Sequence, residues 1–181
     1  MAEKIGFEKI EDFEDEGILQ LVGFEIANEQ FGVNILLVQE IIRSAKVTAV
    51  PNSPMFVEGV INLRGNIIPV IDLRKRLYLY EEGADTEGNW VLILNIEEYV
   101  VGFIVDNVTK VLKIAEDSVE PPPEVLIAGL ESQYIQGVCD IAGALFVILD
   151  FNRVLFNEEY RMLKDIDQDA DELLLDDGMM V

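Results

Sequence analysis

Apolar residues arrive in short, β-branched blocks separated by turn formers, a spacing that predicts strands and hairpins far more than helices. ILQLVGFEI at 18–26 reads as a strand, and the turn at 27–30 leads into a second at 31–33. Asn34 stands where it can cap a helical turn running to Val38, after which 39–43 extend again. VTAVPNSP at 47–54 is a connecting loop by its prolines, Asn and Ser, and Met55 with Phe56 reads as one helical turn. Residues 57–63 and 66–71 form strands around Arg64-Gly65-Asn66, a hairpin whose turn centres on Arg64-Gly65 or Gly65-Asn66. Pro69, lacking an N–H, fits an edge or a bulge better than a fully paired interior. Asp72 and Asp150 are expected to cap the short helices LRKRLYLY and FNRVLF, and capping rather than a buried or catalytic role accounts for them. Further strands fall at 90–96, 99–105, 108–114, 134–141 and 144–149, with turns at Glu97-Glu98 and Gly143 and a bend at Asp106-Asn107. EEGADTEGN at 81–89 is a polar break, the three prolines at 121–123 are extended, and 158–164 has helical character.

The blocks occur twice. GVINLRGNIIPVIDLRKRL at 59–77 returns without a gap as GVCDIAGALFVILDFNRVL at 137–155, 78 positions later, keeping Gly59/Gly137, Gly65/Gly143 and Asp72/Asp150 but replacing Arg64 by Ala142. A weaker echo places 24–42 on 94–112, with Gly32 on Gly102 and Val38 on Val108. A period of 70 to 78 residues is too long for a solenoid and implies two like units packed together. Two small closed or nearly closed β-barrels are the economical architecture, since open antiparallel sheets of this size would leave long bare edges.

Composition removes chemistry. The 181 residues contain no histidine and one cysteine, so no His-based nucleophile pair or common zinc site can be built. Cys139, inside an apolar strand, is a small buried hydrophobe with no disulfide partner. The net charge of −22 disfavours nucleic acid and anionic membrane surfaces. No secretory leader opens the chain and no apolar run is long enough to span a bilayer, so a cytoplasmic protein without membrane insertion is expected. The acidic segments 1–17, a mobile arm or short helix, and 164–181, a frayed tail, flank a domain over 18–163, its copies at about 24–80 and 90–156.

Candidate chemistry is sparse. No pair of acids is singled out as a glycosidase needs, no Lys-Ser or Lys-Thr follows the glycines as in a phosphate loop, and the acidic run at 165–172 lacks the EF-hand glycine, so neither cofactor nor metal is expected. Arg64 is conspicuous, a cation at a hairpin tip of an acidic protein, able to fork onto a carboxylate of its own chain or of a partner. A groove between two packed β-units would suit the apolar face of a helix. A carboxylate hydrolase and a small-ligand barrel are the rival classes.

FGVNILLVQEI, VPNSPMFVEGVINLRGNIIPVIDLR and VVGFIVDNV resemble the CheW-type chemotaxis coupling proteins, and the likeness runs from about Leu19 to about Leu163. The module is shared with the regulatory domain of the kinase CheA and with CheV-type proteins, but no kinase or receiver region accompanies it, which favours a stand-alone coupling protein. The resemblance implies two intertwined five-stranded SH3-like β-barrels with an apolar core between them. It also implies a non-catalytic adaptor that links chemoreceptor cytoplasmic tips to CheA, recruited from the cytoplasm to membrane-associated receptor arrays. By the same resemblance receptor coupling falls on Val38, Gly59, Arg64, Gly102, Val108 and Val111, with Glu40 beside them, and kinase contact on Ile41 and Ile42.

Overall fold

The computed structural model describes residues 3–4, 17–43, 45–79, 89–124, 132–155, 159 and 162–163. Eleven strands are assigned there: β1 (Glu3–Lys4), β2 (Ile18–Ile26), β3 (Glu29–Asn34), β4 (Val38–Arg43), β5 (Val57–Leu63), β6 (Asn66–Asp72), β7 (Trp90–Ile96), β8 (Tyr99–Val105), β9 (Asn107–Ala115), β10 (Ile135–Ile141) and β11 (Ala144–Leu149). Two four-residue helices, α1 (Leu73–Arg76) and α2 (Phe151–Val154), follow the repeated aspartates, and each aspartate accepts the N–H two residues on, from Arg74 or from Asn152, at 3.0 Å. Asn34 likewise caps the 3-10 turn Ile35–Leu37.

The first sheet runs β1-β4-β7-β8-β6-β5 and the second β10-β11-β3-β2-β9. Each therefore mixes strands of both sequence copies, and the intertwined arrangement is borne out. Parallel ladders join the copies, β6 to β8 in the first sheet and β11 to β3 in the second. Both sheets curl toward closure by an isolated bridge. Thr48, beyond β4, exchanges two 2.8 Å backbone hydrogen bonds with Val60 of β5, and Glu120, beyond β9, does the same with Val138 of β10.

This curling explains why most strands are apolar on both faces. In β7, Leu92 and Leu94 point into the largest cluster, which joins residues of the two sheets around Phe24, Phe31, Phe103 and Phe151. Val91 and Ile93 point the other way, into a second cluster with Ile42, Ile61, Ile68, Val70 and Ile104 that belongs to the first sheet alone. The second sheet has its own cluster of Leu21, Leu112, Ile114, Cys139, Phe146 and Ile148. Cys139 is buried there, as expected, and burial pushes its thiol pKa up.

Several local expectations change. The arm at 1–17 contributes β1, whose Glu3 and Lys4 pair with Arg43 and Ile42. α1 is shorter than LRKRLYLY because the chain enters the left-handed region at Tyr78 (φ 58°). Met55 and Phe56 form a turn rather than helix, and 132–134 are a 3-10 turn before β10. Asp72 is buried as well as capping, since Arg74 folds back onto it. Glu159, Met162 and Leu163 are helical, while the remaining residues of the expected C-terminal helix, the break at 81–88 and the tail lie outside the described residues.

Candidate interaction cleft

The β5–β6 hairpin turns on Arg64 and Gly65 (φ 53° and 85°), the two-residue geometry in which both central residues need positive φ. The Asn62 side chain accepts the Gly65 N–H at 2.9 Å and stiffens the tip. Copy two repeats the device with Ala142, Gly143 and Asp140. This geometry lifts Arg64 off the sheet, 62% exposed, with its Nη2 donating at 2.8 Å to Oε1 of Glu40, which is only 5% exposed. Glu40 comes from β4 just after a register shift that sets Gln39 outward. Arg64 lines a cavity of about 440 Å³ between β6 and the start of β8, together with Gln39, Pro69, Glu98, Tyr99 and Leu163 among others. The hairpin position and the charge mark Arg64 in the sequence, but Glu40, 24 residues away, meets it only through the fold.

The other expected residues divide by depth. Val38 is buried opposite Leu94, Ile41 lies in the largest cluster and Ile42 in that of the first sheet. Gly102 is buried against Val91, Ile93 and Val70. Val108 is half-buried and Val111 46% exposed, both on β9 at the edge of the second sheet. Only Arg64 and Val111 of this set present exposed side chains; Val38, Glu40, Gly59, Gly102, Ile41 and Ile42 are buried supports that do not line the cavity described above. The cleft residues Gln39, Pro69, Glu98, Tyr99 and Leu163 were not marked by sequence reasoning, although Pro69 differs from its copy-two counterpart Val147.

Gly59 has a specific reason to be glycine. A Cβ there would lie 2.2 Å from the Thr48 carbonyl oxygen, inside the bridge that closes the first sheet, and at Gly137 it would lie 2.4 Å from Val119 Cγ1. Gly59→Ala is expected to cost about 1–3 kcal/mol, the range for forced overpacking, and to weaken partner binding only through that loss. Chemical denaturation and binding measured on the same preparation check this, and full stability with lost binding would make Gly59 a direct contact instead.

Among the described residues no helix is long and apolar enough to cross a membrane, and no group of three or more His, Cys, Asp or Glu is placed to hold a metal ion. Residues 20–159 match the model of the CheW-like domain. The chain belongs to the CheW-like family. Among CheW proteins, that of Treponema pallidum is 35% identical over 150 residues, covering 81% of this chain and 88% of its own. The chemotaxis protein CheV3 of Helicobacter pylori is 28% identical over 176 residues, and the match spans 57% of that longer protein. The crystal structure of the scaffolding protein TtCheW from Thermoanaerobacter tengcongensis superposes with a TM-score of 0.69 at 30% identity, covering 84% of this chain and 96% of that one. The matched residues take in most of β2, all of β3 to β11 and both short helices.

Proposed function

We propose that the chain is a non-catalytic adaptor of bacterial chemotaxis, joining the helical cytoplasmic tips of methyl-accepting chemoreceptors to the regulatory domain of the histidine kinase CheA and supporting control of its autophosphorylation. The Arg64–Glu40 pair carries this reading. A buried carboxylate holds an exposed guanidinium at the mouth of a cleft, presenting hydrogen-bond donors to a partner in fixed orientation. Val38 and Gly102 support it from the buried interior, while Val108 and Val111 on β9 offer a separate contact on the second sheet. Kinase docking uses barrel ends: Ile41 and Ile42 set the form of β4 from inside, and the β10–β11 tip exposes Ala142, Gly143, Ala144 and Leu145 as an apolar end face. The protein works in the cytoplasm at membrane-associated receptor arrays. Each contact is modest, and avidity within the array multiplies them.

Arg64→Ala tests the reading. Copy two already carries Ala142 in the same turn at φ 53°, so the backbone accepts alanine, and withdrawing the exposed guanidinium from the buried Glu40 carboxylate costs about 1–3 kcal/mol. The variant is expected to fold normally and to bind receptor cytoplasmic fragments about tenfold more weakly, equivalent to ~1.4 kcal/mol, with a matching fall in receptor-dependent CheA autophosphorylation. Undiminished activation removes Arg64 from the site. Activation that does not depend on this protein at all sinks the adaptor reading.

A further inference from the structure

The two copies meet across equivalent parallel junctions of three paired steps each, offset from one another along the strands. Val70 pairs with Gly102 in the first and Ile148 with Gly32 in the second, the same step under the sequence echoes. From that step the second junction runs toward the hairpin tip, through Val147 with Phe31 and Phe146 with Gln30, whereas the first runs away from it, through Ile71 with Phe103 and Asp72 with Ile104, and has no pair on the tip side of Val70.

One missing proton accounts for the absence of both tip-side steps. Val60, opposite Pro69 on β5, uses its backbone N–H and C=O on Thr48, so the Val60–Pro69 pair exchanges no hydrogen bonds and the Pro69 nitrogen faces β8. In copy two Val138 is engaged by Glu120 in the same way, and Val147, standing opposite, has an N–H to give to β3. A parallel ladder extended to Ile68 and Pro69 would need a donor at Pro69 for the Val100 carbonyl in each of the two added steps, and proline has none. The ladder therefore stops where the cavity opens, with Ile67, Ile68 and Pro69 lining it from β6 and Val100 and Val101 from β8.

We propose that Pro69 creates the partner cleft, and that the opening admits a side chain of the receptor helix carrying an apolar stem and an N–H donor, an amide or a cation, which hydrogen-bonds the Val100 carbonyl. This deepens the adaptor reading and rests on it. The volume of about 440 Å³ suits side chains from one helical turn and not a helix about 10 Å across. The polar lining selects a donor. Arg64 is engaged by Glu40, and an incoming carboxylate would face the Val100 carbonyl and Glu98 in a chain of net charge −22. Pro69 is on this account a positioning residue that acts by withholding a hydrogen bond from its neighbour strand.

The test installs the copy-two residue, Pro69→Val, with Pro69→Ala as a second variant that restores the N–H without a branched side chain. Both are expected to complete the ladder, to melt at or above the wild-type temperature, to protect the new residue-69 amide from hydrogen exchange, and to bind receptor cytoplasmic fragments at least about tenfold more weakly, with CheA binding unchanged. Wild-type receptor affinity in a variant whose residue-69 amide is protected overturns the inference and leaves the adaptor reading standing. A residue-69 amide that exchanges freely also overturns it. Failure of the wild-type protein to bind receptor fragments overturns the adaptor reading and this inference together.

Discussion

Replacing Arg74 with alanine is expected to remove about 3–5 kcal/mol of stability, the usual cost of breaking a buried ion pair from one side. The guanidinium is buried and donates through Nε and Nη2 to the two oxygens of Asp72, at 2.9 and 2.8 Å, and through Nη1 to Asp106 at 3.2 Å. Asp106 in turn accepts the Ala27 N–H at 2.8 Å, so one side chain ties α1 to the β2–β3 turn of the other sheet. The hydrogen bond to Asp72 is the main reason the Arg74 pKa lies above its ordinary value, so its charge persists at any pH used for folding. Truncation strands the buried Asp72 carboxylate, whereas the more exposed Asp106 can turn to water and adds less. Urea unfolding measures the loss. The double replacement Asp72→Asn with Arg74→Met should recover most of it, because neither substitute carries a charge and the amide oxygen can still accept the capping N–H. A single-variant loss under about 1 kcal/mol would mean water reaches Asp72 freely. Copy two offers an internal contrast: Asn152 stands at the position of Arg74, and Asp150, besides its cap, faces the exposed Arg153 at 3.4 Å.

Phe151→Ala should be comparably damaging, at about 3–5 kcal/mol. The ring begins α2 and stands edge-on to Phe103 at 5.0 Å and tilted to Phe24 at 6.5 Å, while Phe24 stacks on Phe31 at 5.6 Å. Phe103 belongs to the first sheet and Phe24 and Phe31 to the second, so the removed ring empties the seam between them. Surrounding strands pinned by their ladders cannot collapse into the space, which keeps the penalty high. Thermal and urea unfolding should show one transition at lower stability. Two separated transitions in the variant would instead show that each sheet folds by itself and the seam is weakly coupled.

Much of the strand order was legible because turn chemistry is local. The positive-φ pairs at Arg64-Gly65 and Ala142-Gly143, the Asn34 cap and both aspartate caps follow from neighbouring residues alone. The duplicated blocks and the family resemblance together gave the intertwined pair of sheets. What stayed hidden depends on groups distant in sequence. Nothing local marks Asp72 as buried, since its counterpart Asp150 caps an identical turn half in solvent. β1 arises from an acidic arm with no strand pattern, recruited by the edge of β4. Pro69 was read as an edge or bulge residue; β6 lies inside its sheet, yet the proline nitrogen faces the place where the ladder stops. The coupling residues followed from resemblance, and a pattern of residue types does not separate Arg64, which meets solvent, from Gly59 and Val38, which hold the scaffold.

The strand order also sets a timetable for synthesis. β4 to β8 are consecutive in the chain, so the first sheet has all five of its long strands once Val105 has left the ribosome. β2 and β3 emerge before them but need β9 and β11, and β11 ends only at Leu149. The earliest hairpin thus waits with both edges bare while the domain nested within it forms, and its distant pairings make the second sheet the slow step. Nascent chains arrested between these two points would hold the long strands of the first sheet beside an open, aggregation-prone hairpin, the stage at which a chaperone would matter most.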